Sequence, residues 1–208
     1  MTAHHHGGEH SPSPGSHGWN RRDALERLES PERRRFQDPD TFWDRFPLAP
    51  GSTVVEVGAG TGYFAIPAAR RVGTKGRVYA VDVSADLVEL LQERARTEGL
   101  PQLVPVLSHS DRIPLASEIA DVLLLANVLH DVPPETVREA VRLVKHDGRI
   151  LNVDWKKEET PMGPPRDIRL APREAADLLH THGLELEETL EVGPYHYALR
   201  LRPKGPPR

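Results

Sequence analysis

The residues Glu56-Val57-Gly58-Ala59-Gly60-Thr61-Gly62 end a β-branched run that starts at Thr53, with glycine at alternate positions. Such a backbone takes angles closed to other residues and lets main-chain N–H groups approach a ligand. Where it runs into a helix, the helix start adds free donors and partial positive charge. Two phosphate-binding patterns compete for it and both fail. The dinucleotide fingerprint G-x-G-x-x-G, started at Gly58, meets Tyr63 at its third glycine, and no lysine follows as a P-loop requires. Glu56, two residues before the first glycine, suits an ammonium group better than a pyrophosphate. A second carboxylate, Asp82, ends VYAVD and can accept hydrogen bonds from both hydroxyls of a ribose. Two later stretches hold proton-transfer groups: NVLHDV with Asn127, His130 and Asp131, and NVDWKKEETPMGPP with Asp154 and Trp155 at its head.

These groups need elements to position them. Strand-like runs cover 53–57, 77–81, 103–107, 120–126 and 149–154. Amphipathic helical stretches separate the first two and the last two. Ser84 reads as an N-cap with Leu87, Leu90 and Leu91 on one face, and Pro134 as a first-turn residue before a stripe of Val137, Val141 and Val144. Apolar strands alternating with helices predict a Rossmann-like, doubly wound α/β fold: a mostly parallel seven-stranded sheet with helices on both faces. A last helix after residue 172 precedes two strand candidates, 186–192 and 195–202. Their short Gly193-Pro194 link predicts an antiparallel pair. The glycine turn and Asp82 then fall at carboxyl ends of strands, where open parallel sheets bind ligands. A helix is expected to start near Thr61, and Pro67 inside it implies either a kink or a position that tolerates the missing donor.

Three segments divide the 208 residues. Residues 1–20 are rich in His, Gly, Ser and Pro and read as a disordered tail. Residues 21–46 hold three of the four phenylalanines and one tryptophan. They are expected to form short helices interrupted at Pro31 and Pro39, folded as a lid over the ligand cleft, with a pad on the far side of the sheet as the alternative. Residues 47–203 form the main domain. The chain has no cysteine, which excludes disulfides, iron–sulfur clusters, thiolate metal sites and cysteine nucleophiles. A net charge of −4 argues against a nucleic-acid partner. Mean hydropathy is −0.51 and no apolar run reaches membrane-spanning length, so a cytoplasmic protein, monomeric or homodimeric, is expected.

An amino-acid zwitterion beside a ribose describes S-adenosylmethionine. The chain resembles the class I S-adenosylmethionine-dependent methyltransferases over roughly residues 45–202, through PGSTVVEVGAGTGYFAIPAA, VYAVDVSADLVELL, RIPLASEIADVLLLANVLHDV and VKHDGRILNVDW. It is most similar to the small-molecule branch that includes quinone-biosynthesis and arsenite methyltransferases. Arsenite capture uses thiolates, which this chain lacks.

The resemblance implies S-adenosylmethionine as cofactor, a small-molecule methyl acceptor and no metal. It places Glu56, Gly58, Ala59 and Gly60 at the methionine end, Asp82 on the ribose and Val83 over the adenine. His109 stands where an acid usually meets the adenine amino group, so His109 or Asp111 fills that contact, with Ser110 supplying a backbone donor. Asn127 falls near the sulfonium. His130 and Asp154 are the candidate catalytic residues; for His130 a cap or packing role stands against that of general base. Trp155 and Tyr195 are the candidate pocket residues, against packing and sheet-edge roles, and the loop after Trp155 has the composition of an ordered lid. The competing functional reading is a non-catalytic cofactor-binding protein whose His-rich tail binds metal.

Overall fold

The computed structural model describes residues 21–205; the tail expected over residues 1–20 lies outside them. Seven strands, β1 (Thr53–Val57), β2 (Arg77–Asp82), β3 (Leu103–Leu107), β4 (Ala120–Ala126), β5 (Val144–Trp155), β6 (Leu184–Glu191) and β7 (His196–Pro203), form one sheet in the order β3-β2-β1-β4-β5-β7-β6. The first five run parallel, and β7 inserts antiparallel to both β5 and β6. Strand order reverses between β1 and β4, which opens a crevice at their carboxyl ends.

Both faces of the sheet are covered, which is why its central strands read as unbroken apolar runs. Val54, Leu124, Leu151 and Val153 pack on one side with Phe64 and Ile66 of the glycine turn and the helix α4 (Ala65–Val72). Val55, Leu123, Leu125 and Ile150 pack on the other, with Val137 of α6 (Pro134–Arg142) and Leu179 of α7 (Pro172–Thr181). Between β2 and β3 runs α5 (Ala85–Thr97), whose N-cap Ser84 accepts a hydrogen bond from Leu87 N–H. Among the described residues no helix is long and apolar enough to cross a membrane.

Two local expectations are corrected. Val144 belongs to β5, not to a helical stripe. β5 pairs Ala120 with Val144 and then Val122 with Arg149, and this register shift hides the strand's period in the sequence. A Cβ on Gly148 would lie 2.8 Å from the Ala120 carbonyl oxygen, so the bulge requires glycine there. The helix expected near Thr61 starts at Ala65, because residues 60–64 are spent in tight turns. Pro67 consequently sits in the first turn of α4, where a missing N–H costs least.

Ahead of the sheet come α1 (Arg21–Leu28), α2 (Pro31–Phe36) and α3 (Pro39–Arg45). Pro31 and Pro39 begin helices rather than merely interrupting one, each behind a side-chain cap, Ser30 and Asp38. The aromatic residues divide between two places. Phe42, Trp43 and Phe46 are buried in the main core, and Trp43 Nε1 donates to the Phe64 carbonyl at 3.0 Å. Phe36 points elsewhere, its ring 5.8 Å from Trp155 and 5.6 Å from Tyr195. α1 leans on α5 through Ala24, Leu87 and Leu90, reinforced by the Arg21–Glu93 and Glu29–Arg94 ion pairs.

Candidate functional site

A cavity of about 750 Å³ opens at the carboxyl ends of β1, β2, β4 and β5. Its floor is the glycine turn with Asp82 and Asn127, its roof Leu28, Arg33 and Phe36 of α1 and α2, and its far wall Trp155 with Met162 to Pro165.

The glycine turn is fixed by close approach. Gly58 has φ +73°, and a Cβ there would lie 2.4 Å from Val128 Cγ1. Gly58 and Ala59 N–H both donate to the Val81 carbonyl, at 2.9 and 3.0 Å. Asp82 ties this turn to the next, accepting from Gly60 N–H at 2.8 Å and Ser84 N–H at 2.9 Å. Burial pushes its pKa up and those backbone bonds oppose the shift. Glu56 is 2% exposed, and its Oε2 has no hydrogen-bond partner among the described residues. Burial, opposed by the Arg33 charge and reinforced by Asp82, raises its pKa to about 8. Val83 is 55% exposed beside them and offers an apolar face to the cavity.

The roof is tied to the floor by an amide pair. Gln37 Nε2 donates to Asn127 Oδ1 at 3.2 Å, and Asn127 Nδ2 returns a bond to Gln37 Oε1 at 3.0 Å. The Tyr63 hydroxyl donates to the Gln37 carbonyl at 2.8 Å, and the Arg33 guanidinium lies 3.9 Å above the Tyr63 ring.

At the other end His130 Nδ1 is 2.8 Å from Asp154 Oδ1, both side chains nearly sealed from solvent. The same carboxylate oxygen accepts Trp155 N–H at 2.8 Å, while Asp154 Oδ2 has no partner among the described residues. Burial lowers the His130 pKa, but the Asp154 bond and charge, with the charge of Asp131, outweigh it and raise the value overall. His196 is fully buried, its ring 4.2 Å from that of Trp155, and burial drops its pKa to about 3. The loop after Trp155 is ordered by Arg169, which donates to the carbonyls of Lys156, Glu158, Met162 and Pro164. A Cβ on Gly163 would come within 2.8 Å of the Trp155 ring, so that loop lies directly against the indole.

Of the residues expected in the site, Glu56, Gly58, Ala59, Gly60, Asp82, Val83, Asn127, His130 and Trp155 line one cavity. Asp154 stands behind His130, and Tyr195 behind Phe36. His109, Ser110 and Asp111 are exposed in the loop after β3, outside the lining; His109 forms a bridge with Arg112. Sequence reasoning passed over Arg33, Gln37 and Arg169. Arg33 sits in the run PERRRF, where nothing local separates the one inward arginine from its exposed neighbours Arg34 and Arg35.

Residues 55–152 match the model of a methyltransferase domain. The ubiquinone/menaquinone biosynthesis C-methyltransferase UbiE of Laribacter hongkongensis is 26% identical over 135 residues, 61% of this chain and 54% of that protein. The chain spans about half the length of the curated relatives it matches. A crystal structure of an S-adenosylmethionine-dependent methyltransferase from Aquifex aeolicus superposes with a TM-score of 0.80 at 30% identity, covering 85% of this chain and 95% of that one. The [4+2]-cyclase SpnF shares the fold alone, with a TM-score of 0.68 at 19% identity over 80% of each chain. Likeness across nearly the whole Aquifex protein, at that identity, shows that this chain belongs to the class I S-adenosylmethionine-dependent methyltransferases of the small-molecule type.

Proposed function

We propose that this protein transfers a methyl group from S-adenosylmethionine to a small-molecule nucleophile held between α2 and Trp155. The observation that carries this is Glu56: a buried carboxylate with an unpartnered oxygen, at the mouth of a glycine turn that another carboxylate, Asp82, pins from below. A buried, unsatisfied acid costs stability unless a ligand completes it. An ammonium group does so, and the family's cofactor carries one on its methionine end. Asp82 accepts backbone N–H bonds on both oxygens and keeps lone pairs for ribose hydroxyls. Val83 offers the apolar face for the adenine. The donor set therefore fits the cofactor.

The cofactor supplies a methyl group on a sulfonium, open to in-line displacement. The protein's part is to align the acceptor and exclude water. Phe36, Trp155 and the loop from Met162 to Pro165 supply an apolar enclosure with flat ring faces, suited to a planar acceptor. His130 hands its Nδ1–H to Asp154, which leaves Nε2 as acceptor for a proton from the nucleophile and steadies the imidazolium that forms. A base is needed when the acceptor arrives protonated, as a phenol or ammonium does. Kinship with quinone-biosynthesis C-methyltransferases favours ring carbon as the acceptor atom, activated by loss of a hydroxyl proton to His130.

Calorimetry with S-adenosylmethionine, S-adenosylhomocysteine and NAD tests the cofactor, and tighter binding of NAD would overturn the reading. Incubating cell extract with methyl-labelled cofactor and identifying the labelled product by mass then names the acceptor. Binding without any labelled product would leave only a cofactor-binding protein.

A further inference from the structure

The proposed function uses Glu56 and Asp82 and leaves a half-buried cation unexplained. Arg33 is turned into the roof of the cavity, while Arg34 and Arg35 on the same short helix are exposed. Among the described residues its side-chain hydrogen bonds go to neutral oxygens: Nε and one terminal nitrogen to Gln37 Oε1 at 3.1 and 3.0 Å, the other to the Leu28 carbonyl at 2.9 Å. Glu29 and Glu56 act on it through charge, not through a hydrogen bond. A guanidinium has five N–H groups, so donors remain. Burial lowers its pKa to about 10, which still leaves it charged at neutral pH. A desolvated cation without an anion in contact is expensive to maintain. The central carbon of the Arg33 guanidinium lies 3.9 Å over the centre of the Tyr63 ring, next to the glycine turn.

Its position is informative. Arg33 lines the cavity with Glu56 and the glycine turn and also with Phe36, whose ring stacks on His196, so it stands where the glycine end of the cavity meets the aromatic end. Among the described residues Glu56, on the floor, has an oxygen without a donor, and Arg33, on the roof, has donors without an anion. A carboxyl group and a guanidinium set across one cavity match an α-amino-acid zwitterion, ammonium on the carboxyl, which ionises as the ligand binds, and carboxylate on the guanidinium fork. We infer that Arg33 is a cofactor-binding residue, taking the α-carboxylate of the methionine moiety while Glu56 takes its ammonium, so that the cofactor itself ties α2 down over the site.

This rests on the proposed function and adds a residue from an element outside the glycine turn. It also gives the Gln37 bonds a purpose. Gln37 Oε1 accepts from Arg33 and from Asn127 together, so the carboxylate ligand and the floor of the cavity are held by one side chain.

The test is a comparison of three probes by calorimetry. S-adenosylhomocysteine carries the whole amino acid, decarboxylated S-adenosylhomocysteine only the amine, and 5′-methylthioadenosine neither. Arg33→Met is expected to weaken S-adenosylhomocysteine about 10- to 100-fold and to leave the other two within about twofold. Arg33→Lys, which keeps the charge and loses the fork, is expected to fall between and guards against a folding defect in the methionine variant. Equal losses for all three probes would make Arg33 a structural residue. Unchanged affinity for S-adenosylhomocysteine would turn it toward the acceptor. Either result overturns the inference while leaving the cofactor reading intact. That reading fails separately, if the unmodified protein binds none of the three.

Discussion

The side-chain amides of Gln37 and Asn127 bond each other twice, at 3.0 and 3.2 Å, and so join the end of α2 to the end of β4. Asn127 holds φ +57°, a left-handed angle that asparagine tolerates better than most residues, and this turns its amide toward the roof. Gln37 is 6% exposed, so without Asn127 its Nε2 would be a buried donor left without this partner, and without Gln37 the Asn127 amide would lose both bonds to the roof. Removal of one partner is therefore expected to release α2 rather than only weaken it.

Gln37→Ala should speed amide hydrogen exchange in α2 while α3 stays protected, since Phe42, Trp43 and Phe46 anchor α3 in the core. In the unmodified protein S-adenosylhomocysteine should slow exchange in α2 and leave α3 unaltered. Equal responses of the two helices to ligand would show that the segment moves as one body and that the division into cover and pad is wrong.

Asp82→Ala should weaken S-adenosylhomocysteine by roughly 2 to 4 kcal/mol through lost charge-assisted bonds to the ribose. It should also lower the melting temperature, because the carboxylate holds Gly60 and Ser84 N–H and so fastens two turns together. Asp82→Asn, which keeps one acceptor oxygen, should recover part of the stability and little of the affinity. An unchanged dissociation constant in either variant would put the ribose elsewhere.

The sheet was legible because parallel strands buried on both faces write themselves as apolar runs, and because glycines and a strand-ending acid mark the crevice. The His130–Asp154 contact was legible only as two candidates, since residues 24 positions apart meet through the adjacency of β4 and β5. The roof was harder. Its aromatics announced burial without saying against what, and Phe36 parts from Phe42 because Gln37 and Asp38 turn the chain between two helices. Arg33 and Arg169 were hidden among exposed arginines whose local sequence has the same polarity. The β5 bulge erased the period that would have placed Val144 in a strand.

Glu56 predicts a proton signal. With a folded pKa of about 8 against an ordinary 4.5, the folded protein keeps a proton that the unfolded chain has lost. Its contribution to stability accordingly falls as pH rises from about 4.5 to about 8. Glu56→Gln should flatten that slope and raise the melting temperature near pH 8 while weakening cofactor binding. An ammonium ligand favours the ionised acid, so binding near pH 7 should release protons. Calorimetric enthalpies should then differ between phosphate and Tris in proportion to their ionisation heats. Buffer-independent enthalpies would mean that Glu56 does not change its protonation on binding.

His130 should set the acid limb of the activity profile. Its pKa lies above the ordinary 6.5: burial works against the charged form, but the bond and charge of Asp154, with Asp131, prevail. A histidine raised by folding stabilises the protein below the unfolded pKa, and that contribution is lost as pH rises through the folded one. The general-base role has the opposite demand, because only neutral imidazole accepts a proton. Once the acceptor is identified, kcat should therefore climb with pH through a value above 6.5 and then level off. Asp154→Asn removes the charge that raises the imidazole, and burial then acts unopposed by it. The limb should move to lower pH while the plateau falls, since the imidazolium loses its stabilising partner. His130→Gln should lower kcat by about 10²- to 10⁴-fold with little change in cofactor affinity. Should kcat and its pH dependence survive both substitutions, His130 is a packing residue, and the acceptor must reach the site already deprotonated.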